Sequence, residues 1–243
     1  ALSEEAAGRN GTCPIVRDSE GNVVYEADGT PKKMSLFFDN ENLTSYNDYE
    51  FRGGDAIYED VNHDGTINQL DIVYLGNSNP KFVGGLGLNI KYKQVMLTTN
   101  FYARLGQKII NGARMDMEGM RGTSNQSTAV LNRWRTEGDD TDIPRALYGM
   151  GYNYLGSDRF VEDASFLRLK TVTLSWTLPK KWLKSANISD LKLYCTGYDL
   201  FTLTDYSGQD PEVSLPSSPT GLVKDSNKTP VTKRMTFGLN LTF

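Results

Sequence analysis

The sequence lacks most of the residues on which enzyme chemistry commonly depends. Its 243 residues include one histidine, His63, so a histidine triad, a histidine-ligated zinc site and a proton shuttle would all rest on that side chain. Carboxylates cluster around residues 139–142 and 158–163, where polar loop sequence favours solvated charges over the paired acids of a glycoside hydrolase. We therefore expect that the protein is not an enzyme.

Long apolar runs, cysteine pairs and excess positive charge are missing as well. No run of about 18 apolar residues occurs, which excludes a transmembrane helix. Two cysteines, Cys13 and Cys195, are too few for a disulfide framework, and we expect two unpaired thiols. The net charge of −4 comes without a basic block, which argues against nucleic acid as a partner. The start of the chain has no charged or apolar signal region, which indicates that a signal was removed or that the chain is a downstream piece of something longer.

What the sequence does contain is alternation with a period of two, which is typical of β-strands. Five segments place apolar side chains on one face and Thr, Asn, Ser, Lys, Arg, Tyr or Gly on the other. In the third segment Arg168 and Lys170 fall on the apolar side, which a β-bulge or an interfacial position would explain. The five predicted strands are residues 82–92, 95–105, 166–178, 191–202 and 234–243.

The connections between these strands differ sharply in length. Residues 93–94 and 179–190 are short turns, whereas residues 106–165 and 203–233 are long excursions, as is the stretch before Pro80. If strand direction reverses at each connection, all the long excursions lie at one end of the strands, as in membrane barrels. A soluble lipocalin-like barrel would instead turn the apolar face inward. The Thr-, Asn- and Ser-rich opposite face suits a wet lumen, so we expect an all-β fold whose apolar face meets lipid.

We therefore divide the chain into residues 1–79, a surface-loop region, and residues 80–243, the barrel strands with their excursions. The first region contains a twelve-residue loop, residues 60–71, with the oxygen spacing of a calcium-binding loop and Gly65 at the sharp turn. We expect it to bind Ca²⁺, with Mg²⁺ as an alternative because position 12 is Asp rather than Glu. The alternative interpretation is a polar surface turn without an ion. The expected ligands are Asp60, Asn62, Asp64, the carbonyl of Thr66, Asn68 and Asp71.

Aromatic residues in the first long excursion are the candidates for contact with substrate. Aromatic faces stack on sugar rings, so these side chains can line a glycan path, although packing within the loop is the simpler explanation. The candidates are Trp134, Tyr148, Tyr152 and Tyr154.

Several segments together resemble SusC/RagA-type TonB-dependent outer-membrane transporters. The first, residues 54–67, reads Gly-Asp-x-x-Tyr-x-Asp-Val-Asn-x-Asp-Gly-x-Ile, and residues 76–82 follow it. Residues 157–170, 200–212 and 236–243 continue the likeness in matching order and spacing over residues 50–243. The resemblance implies the C-terminal strands of an antiparallel transmembrane β-barrel of about 22 strands.

The resemblance also implies a function, partners and a location. Such transporters lie in the outer membrane, with long loops at the cell surface, and import oligosaccharides or peptides with energy delivered by TonB. A SusD-like surface lipoprotein caps the barrel, and an N-terminal plug fills it. Phe243 resembles the terminal aromatic residue read by the barrel-assembly machinery. The expected partners are therefore that lipoprotein, the remaining barrel and plug segments, TonB through the missing part, the substrate and outer-membrane lipid.

Physical reasoning also predicts that the five strands are incomplete alone. An open sheet in lipid leaves two edges with unsatisfied backbone groups, so residues 82–92 and 234–243 should pair with strands outside this chain. The alternative function is a secreted, calcium-stabilised, all-β glycan-binding or adhesion domain, which would explain the loop at residues 60–71 but not the segregation of loop lengths.

Overall fold

A computed structural model describes residues 15–32, 34–36, 51–149, 151–184, 188–213, 223–226 and 229–243. Strands are the commonest regular element in these ranges. The strands are β1 (Ser35–Leu36), β2 (Thr66–Ile67), β3 (Phe82–Tyr92), β4 (Val95–Leu105), β5 (Lys108–Ile110), β6 (Val161–Asp163), β7 (Phe166–Thr177), β8 (Asp190–Thr204) and β9 (Arg234–Thr242). The α-helices are α1 (Gly112–Glu118) and α2 (Lys180–Leu183), and short 3₁₀ helices span Gln69–Asp71, Thr128–Asn132 and Asp158–Phe160.

The five long strands form one antiparallel sheet in the order β3-β4-β7-β8-β9. The all-β prediction is confirmed, and each predicted strand is present with ends within two residues of those expected. Lys93, at a positive φ of 52°, turns β3 into β4, and α2 lies in the connection from β7 to β8. Because neighbouring strands run antiparallel, the excursions after β4 and β8 leave the same end of the sheet. No helix in the described ranges is both long and apolar enough to span a membrane.

The chain divides into two compact units that do not follow chain order. Unit 1 comprises residues 1–75 and 114–160, so much of the first long excursion belongs with the beginning of the chain. Its small core is built on Phe51 and Ile67, with Met34, Tyr58 and Tyr152 packed against them. Unit 1 therefore buries its own apolar side chains without using the long sheet.

Unit 2 comprises residues 76–113 and 161–243 and contains the long sheet. Its buried cluster of Ile109, Ala164, Tyr206 and Val213 lies beyond the strands, around the short antiparallel pair of β5 and β6. Three residues are too few to show a period of two, which is why the sequence pattern did not reveal β5 and β6. The apolar cluster of unit 2 thus lies outside the long sheet, and Phe166, at the start of β7, is the large apolar side chain that the described part of the sheet itself buries.

Candidate functional site

One face of the long sheet is a continuous apolar surface. Register aligns Ile90, Leu97, Leu174, Cys195 and Phe237 as one row across all five strands. Ile90 is 58%, Leu174 52% and Phe237 76% exposed, and Cys195 carries a free thiol. Transfer of such side chains out of water is favourable, so a surface of this extent indicates a non-aqueous neighbour.

The rest of this face has the same character. Trp176, at the short-turn end of β7, meets the ring of Trp182 edge-on with centroids 6.0 Å apart. Phe243 follows β9 and is 84% exposed. The other exposed apolar side chains of the face are Phe82, Leu86, Leu88, Tyr92, Val95, Leu105, Leu167, Leu193, Phe201, Leu203, Met235, Leu239 and Leu241. None of these is enclosed in a dry interior, as a lipocalin-like arrangement would require.

The opposite face is polar and hydrogen-bonded from strand to strand. The Thr98 hydroxyl donates to Asn89 Oδ1 at 2.8 Å. Asn100 Nδ2 donates to the Thr171 hydroxyl, also at 2.8 Å. Cross-strand pairs of this type stabilise a sheet and remain compatible with water, so this face suits an aqueous lumen.

A β-bulge at Lys170 explains why the alternation breaks in β7. Asn100 pairs with Thr171 but Phe101 pairs with Leu169, so Lys170 has no counterpart on β4. Beyond the bulge Arg168 lies on the polar face, although the sequence pattern counted it on the apolar side. The bulge, one of the two predicted explanations, is therefore confirmed, and it leaves the apolar surface uninterrupted.

A cluster of charged residues around the buried Arg168 begins at this bulge. Arg168 is only 3% exposed, and its guanidinium contacts Asp210 at 2.5 Å and Glu212 at 2.7 Å. Lys170 Nζ lies 2.7 Å from Glu212 and 3.5 Å from Asp199. Burial opposes ionisation of Asp210, but hydrogen bonds from Arg168 and from backbone amides hold the pKa of its carboxyl below the usual value.

This cluster fixes part of the second long excursion against the polar face, and sequence reasoning missed it. Both partners lie in the segments that carry the family resemblance, residues 157–170 and 200–212. No local spacing connects Arg168 with carboxylates 42 and 44 residues further along. Only the pairing of β7 with β8 brings them together.

A second polar contact holds the same excursion near β5 and β6. The Tyr206 hydroxyl donates to Asp225 Oδ2 at 2.7 Å, and both residues are buried. Burial and this hydrogen bond raise the pKa of Tyr206. Glu162 on β6 accepts hydrogen bonds from the Ser207 amide at 2.9 Å and from the Ser207 hydroxyl at 2.8 Å. The start and end of this excursion are thus both tied to unit 2.

In unit 1, Trp134 is buried against the loop rather than exposed at the surface. It is 8% exposed, and its ring covers Gly54, where an added Cβ would lie 2.1 Å from the ring. Gly54 also has a φ of +81°, which a side chain rarely adopts. A ring held this way supports the loop, which is the packing role that the sequence left open.

The three candidate tyrosines have different surroundings. Tyr148 is 72% exposed. The rings of Tyr152 and Tyr154 stack with centroids 6.5 Å apart, and the Arg121 guanidinium lies 4.1 Å from the centroid of Tyr154. The structure therefore brings Tyr152 and Tyr154 together and leaves Tyr148 open at the surface.

A cleft of about 680 Å³ lies within unit 1. Its lining is mixed, with apolar Ile57 and Ile72 beside charged Asp142 and Arg159. Tyr58 also lines it and donates its hydroxyl proton to the Tyr152 carbonyl at 2.7 Å, while burial raises the pKa of Tyr58. One part of the cleft wall is therefore held by a side-chain hydrogen bond.

The loop at residues 60–71 forms another part of the same wall. Val61, Ile67, Asn68 and Asp71 line the cleft. Side chains of the loop accept hydrogen bonds from its own backbone amides. For example, the Gly65 amide donates to Asp60 Oδ2 at 2.8 Å. Across the described ranges, no three His, Cys, Asp or Glu side chains converge as a metal-ligand group. The predicted ion therefore depends on amide and carbonyl oxygens beside the carboxylates.

No family model matches the chain. The similar proteins, however, are all named as TonB-dependent receptors. TonB-dependent receptor P3 of Formosa agariphila is 28% identical over 78% of the chain and 19% of its own length. TonB-dependent receptor P26 of the same bacterium is 31% identical over 78% of the chain and 20% of its length. SusC of Bacteroides thetaiotaomicron is 26% identical over 77% of the chain and 17% of its length. The chain thus spans about a fifth of the length of these relatives.

Solved structures agree with this relationship. A structure of the RagAB peptide transporter matches with a TM-score of 0.58 and 28% identity over 69% of this chain and 18% of the matched chain. RagAB in its closed-closed state matches with a TM-score of 0.57 over 97% of this chain and 22% of the matched chain, with 23% identity, which supports the fold alone. These relatives are named as receptors and transporters, not as enzymes. The chain belongs to the SusC/RagA-type TonB-dependent receptors.

Proposed function

We propose that the chain supplies five C-terminal strands to the wall of a TonB-dependent outer-membrane barrel that imports oligosaccharides or peptides. The observation that carries this proposal is the apolar face that all five strands expose in register. Such an apolar face is suited to contact with lipid hydrocarbon. The opposite face, with its hydrogen-bonded Thr and Asn side chains, is suited to a lumen filled with water.

The remaining barrel strands, the plug and the TonB-contacting segment then lie outside this chain. Within the described residues β3 and β9 each pair on one side only. A lipid-exposed sheet cannot leave those backbone groups unpaired, because nothing in the hydrocarbon accepts or donates hydrogen bonds. We assign β3 and β9 to pairing with further strands.

The excursions after β4 and β8 belong at the cell surface in this proposal, where a SusD-like lipoprotein would cap the barrel. The likeness to RagAB, whose structure is described as that of a peptide transporter, supports peptides as one of the two proposed classes of substrate. Tyr148, Tyr152 and Tyr154 are the proposed substrate contacts, whereas the buried Trp134 holds the loop that carries them.

The test combines extraction with uptake. The full-length protein carrying this chain should remain in the outer-membrane fraction until detergent is added and should co-purify with a lipoprotein. A deletion strain should lose uptake of labelled oligosaccharides or of labelled peptides, and discharge of the proton gradient should abolish the same uptake in the parent strain. Recovery from buffer alone would support the secreted adhesion domain, and normal uptake in the deletion strain would reject transport.

A further inference from the structure

We propose that the loop at residues 60–71 is a binding site for one Ca²⁺ ion. The loop places oxygen-bearing residues at Asp60, Asn62, Asp64, Thr66 and Asn68, alternating along the chain as hard-cation ligands require. This inference concerns unit 1 alone and does not depend on the proposed transport function.

The decisive observation is an anionic oxygen without a partner. Asp60 is 6% exposed, and its Oδ2 accepts the Gly65 amide at 2.8 Å, which directs the carboxylate into the loop. Its Oδ1 is inaccessible to water and has no hydrogen-bond donor. A buried carboxylate oxygen in that situation is costly unless a cation accompanies it.

The neighbouring oxygens are oriented by backbone amides and keep a lone pair for a metal ion. Asn62 Oδ1 accepts the Asp64 amide at 2.9 Å, and Asp64 Oδ1 accepts the Thr66 amide at 2.7 Å. Asn68 Oδ1 accepts the Leu70 amide at 2.7 Å. Side-chain donors use further acceptor positions: Asn62 Nδ2 donates to Asp64 Oδ2 at 3.0 Å, Asn68 Nδ2 to the Thr66 carbonyl at 3.2 Å, and Lys32 Nζ to the Asp64 carbonyl. An oxygen of this kind has two acceptor positions, so these contacts preorganise the loop without saturating it.

Asp71 closes the loop by joining its two ends. Its Oδ1 accepts the Val61 amide at 2.9 Å, and its Oδ2 accepts the Asn68 amide at 2.7 Å. Both oxygens of Asp71 thus accept amides of the loop itself. Asp at this position thus serves mainly as a clamp, where the longer Glu would serve as a bidentate ligand.

Calcium suits this loop better than magnesium does. Ca²⁺ accepts about six to eight oxygens in irregular geometry, whereas Mg²⁺ requires a near-ideal octahedron and retains several waters. Here most oxygens come from one short segment whose positions the amides already fix. Because the loop also lines the cleft of unit 1, a bound ion would hold that wall in place.

The experiment measures binding of ⁴⁵Ca²⁺ by equilibrium dialysis to the full-length protein carrying this chain, after treatment with a chelator. Asp60→Asn should bind one ion fewer than the wild type, or bind that ion at least tenfold more weakly. Asp64→Asn should show the same loss, and because Asp64 is exposed and Asn can still accept the Thr66 amide, this variant tests the site without burial effects.

Asp28→Asn is the matched control. Asp28 also closes a turn, by accepting the Thr30 amide at 2.9 Å, and the substitution removes the same charge outside the loop. It should bind as many ions as the wild type. Unchanged binding by both Asp60→Asn and Asp64→Asn, equal loss in the control, or displacement of Ca²⁺ by an equal concentration of Mg²⁺ would overturn the assignment.

Discussion

An arginine placed on each face of β3 tests which face meets lipid. Leu88 is on the apolar face and Asn89, its neighbour, is on the polar face. Leu88 lies four residues from Tyr92 and six from Phe82, which at about 3.3 Å per residue and a tilt of about 40° corresponds to depths of roughly 10 Å and 15 Å. Leu88 is therefore near the middle of an apolar band about 25 Å tall.

The two substitutions should differ strongly in their effect on folding. Leu88→Arg should lower the free energy of unfolding by about 2–4 kcal/mol, the cost of arginine at the bilayer midplane. Asn89→Arg removes only the hydrogen bond from Thr98 at an exposed site, so it should cost about 1 kcal/mol or less. A difference of about 3 kcal/mol changes the ratio of folded to unfolded protein by roughly a hundredfold.

The assay is urea-dependent folding of the full-length protein into phospholipid vesicles, followed by circular dichroism and by the gel mobility of the folded barrel. Leu88→Arg should shift the midpoint to clearly lower urea than Asn89→Arg does. Equal shifts, or a larger shift for Asn89→Arg, would refute the assignment of the apolar face to lipid.

Two further predictions concern the loops. Arg168→Met should destabilise the second long excursion by about 2–3 kcal/mol, less than a fully buried pair because its carboxylate partners are partly exposed, and limited proteolysis should cut residues 205–213 faster. Since the pKa of Asp210 is lowered, this contact stabilises the excursion fully above about pH 4, and the stabilisation is lost as pH falls further. The protection of the amides of residues 205–213 against hydrogen exchange should therefore fall between about pH 5 and pH 3. Protection that does not change over this range would contradict the reasoning. Gly54→Ala should destabilise unit 1 by about 2 kcal/mol or more because the new Cβ meets the Trp134 ring, whereas Gly29→Ala, at the same φ of +81° but with open space around it, should cost only the backbone strain; equal thermal shifts would rule out the ring contact.

The alternation along the chain is enough to define the sheet and its two faces. A strand must present alternate side chains to opposite sides. Met235, Phe237, Leu239 and Leu241 therefore define both β9 and its apolar face, whichever strand pairs with it. The lengths of the connections likewise determined where the excursions leave the sheet, because antiparallel neighbours reverse direction at each turn.

Contacts between residues far apart in the chain, by contrast, depend on how the strands pair. The alternation left two explanations for Arg168, and only the register with β4 selected the bulge that places it beside Asp210. The sequence predicts both Trp134 and Tyr148 as contacts for substrate. Only the packing of Trp134 against Gly54 shows that it is buried while Tyr148 is exposed. The alternation of side chains follows directly from the order of residues along a strand. Contacts between residues tens of positions apart form only when strands pair, so the spacing of residues alone does not predict them.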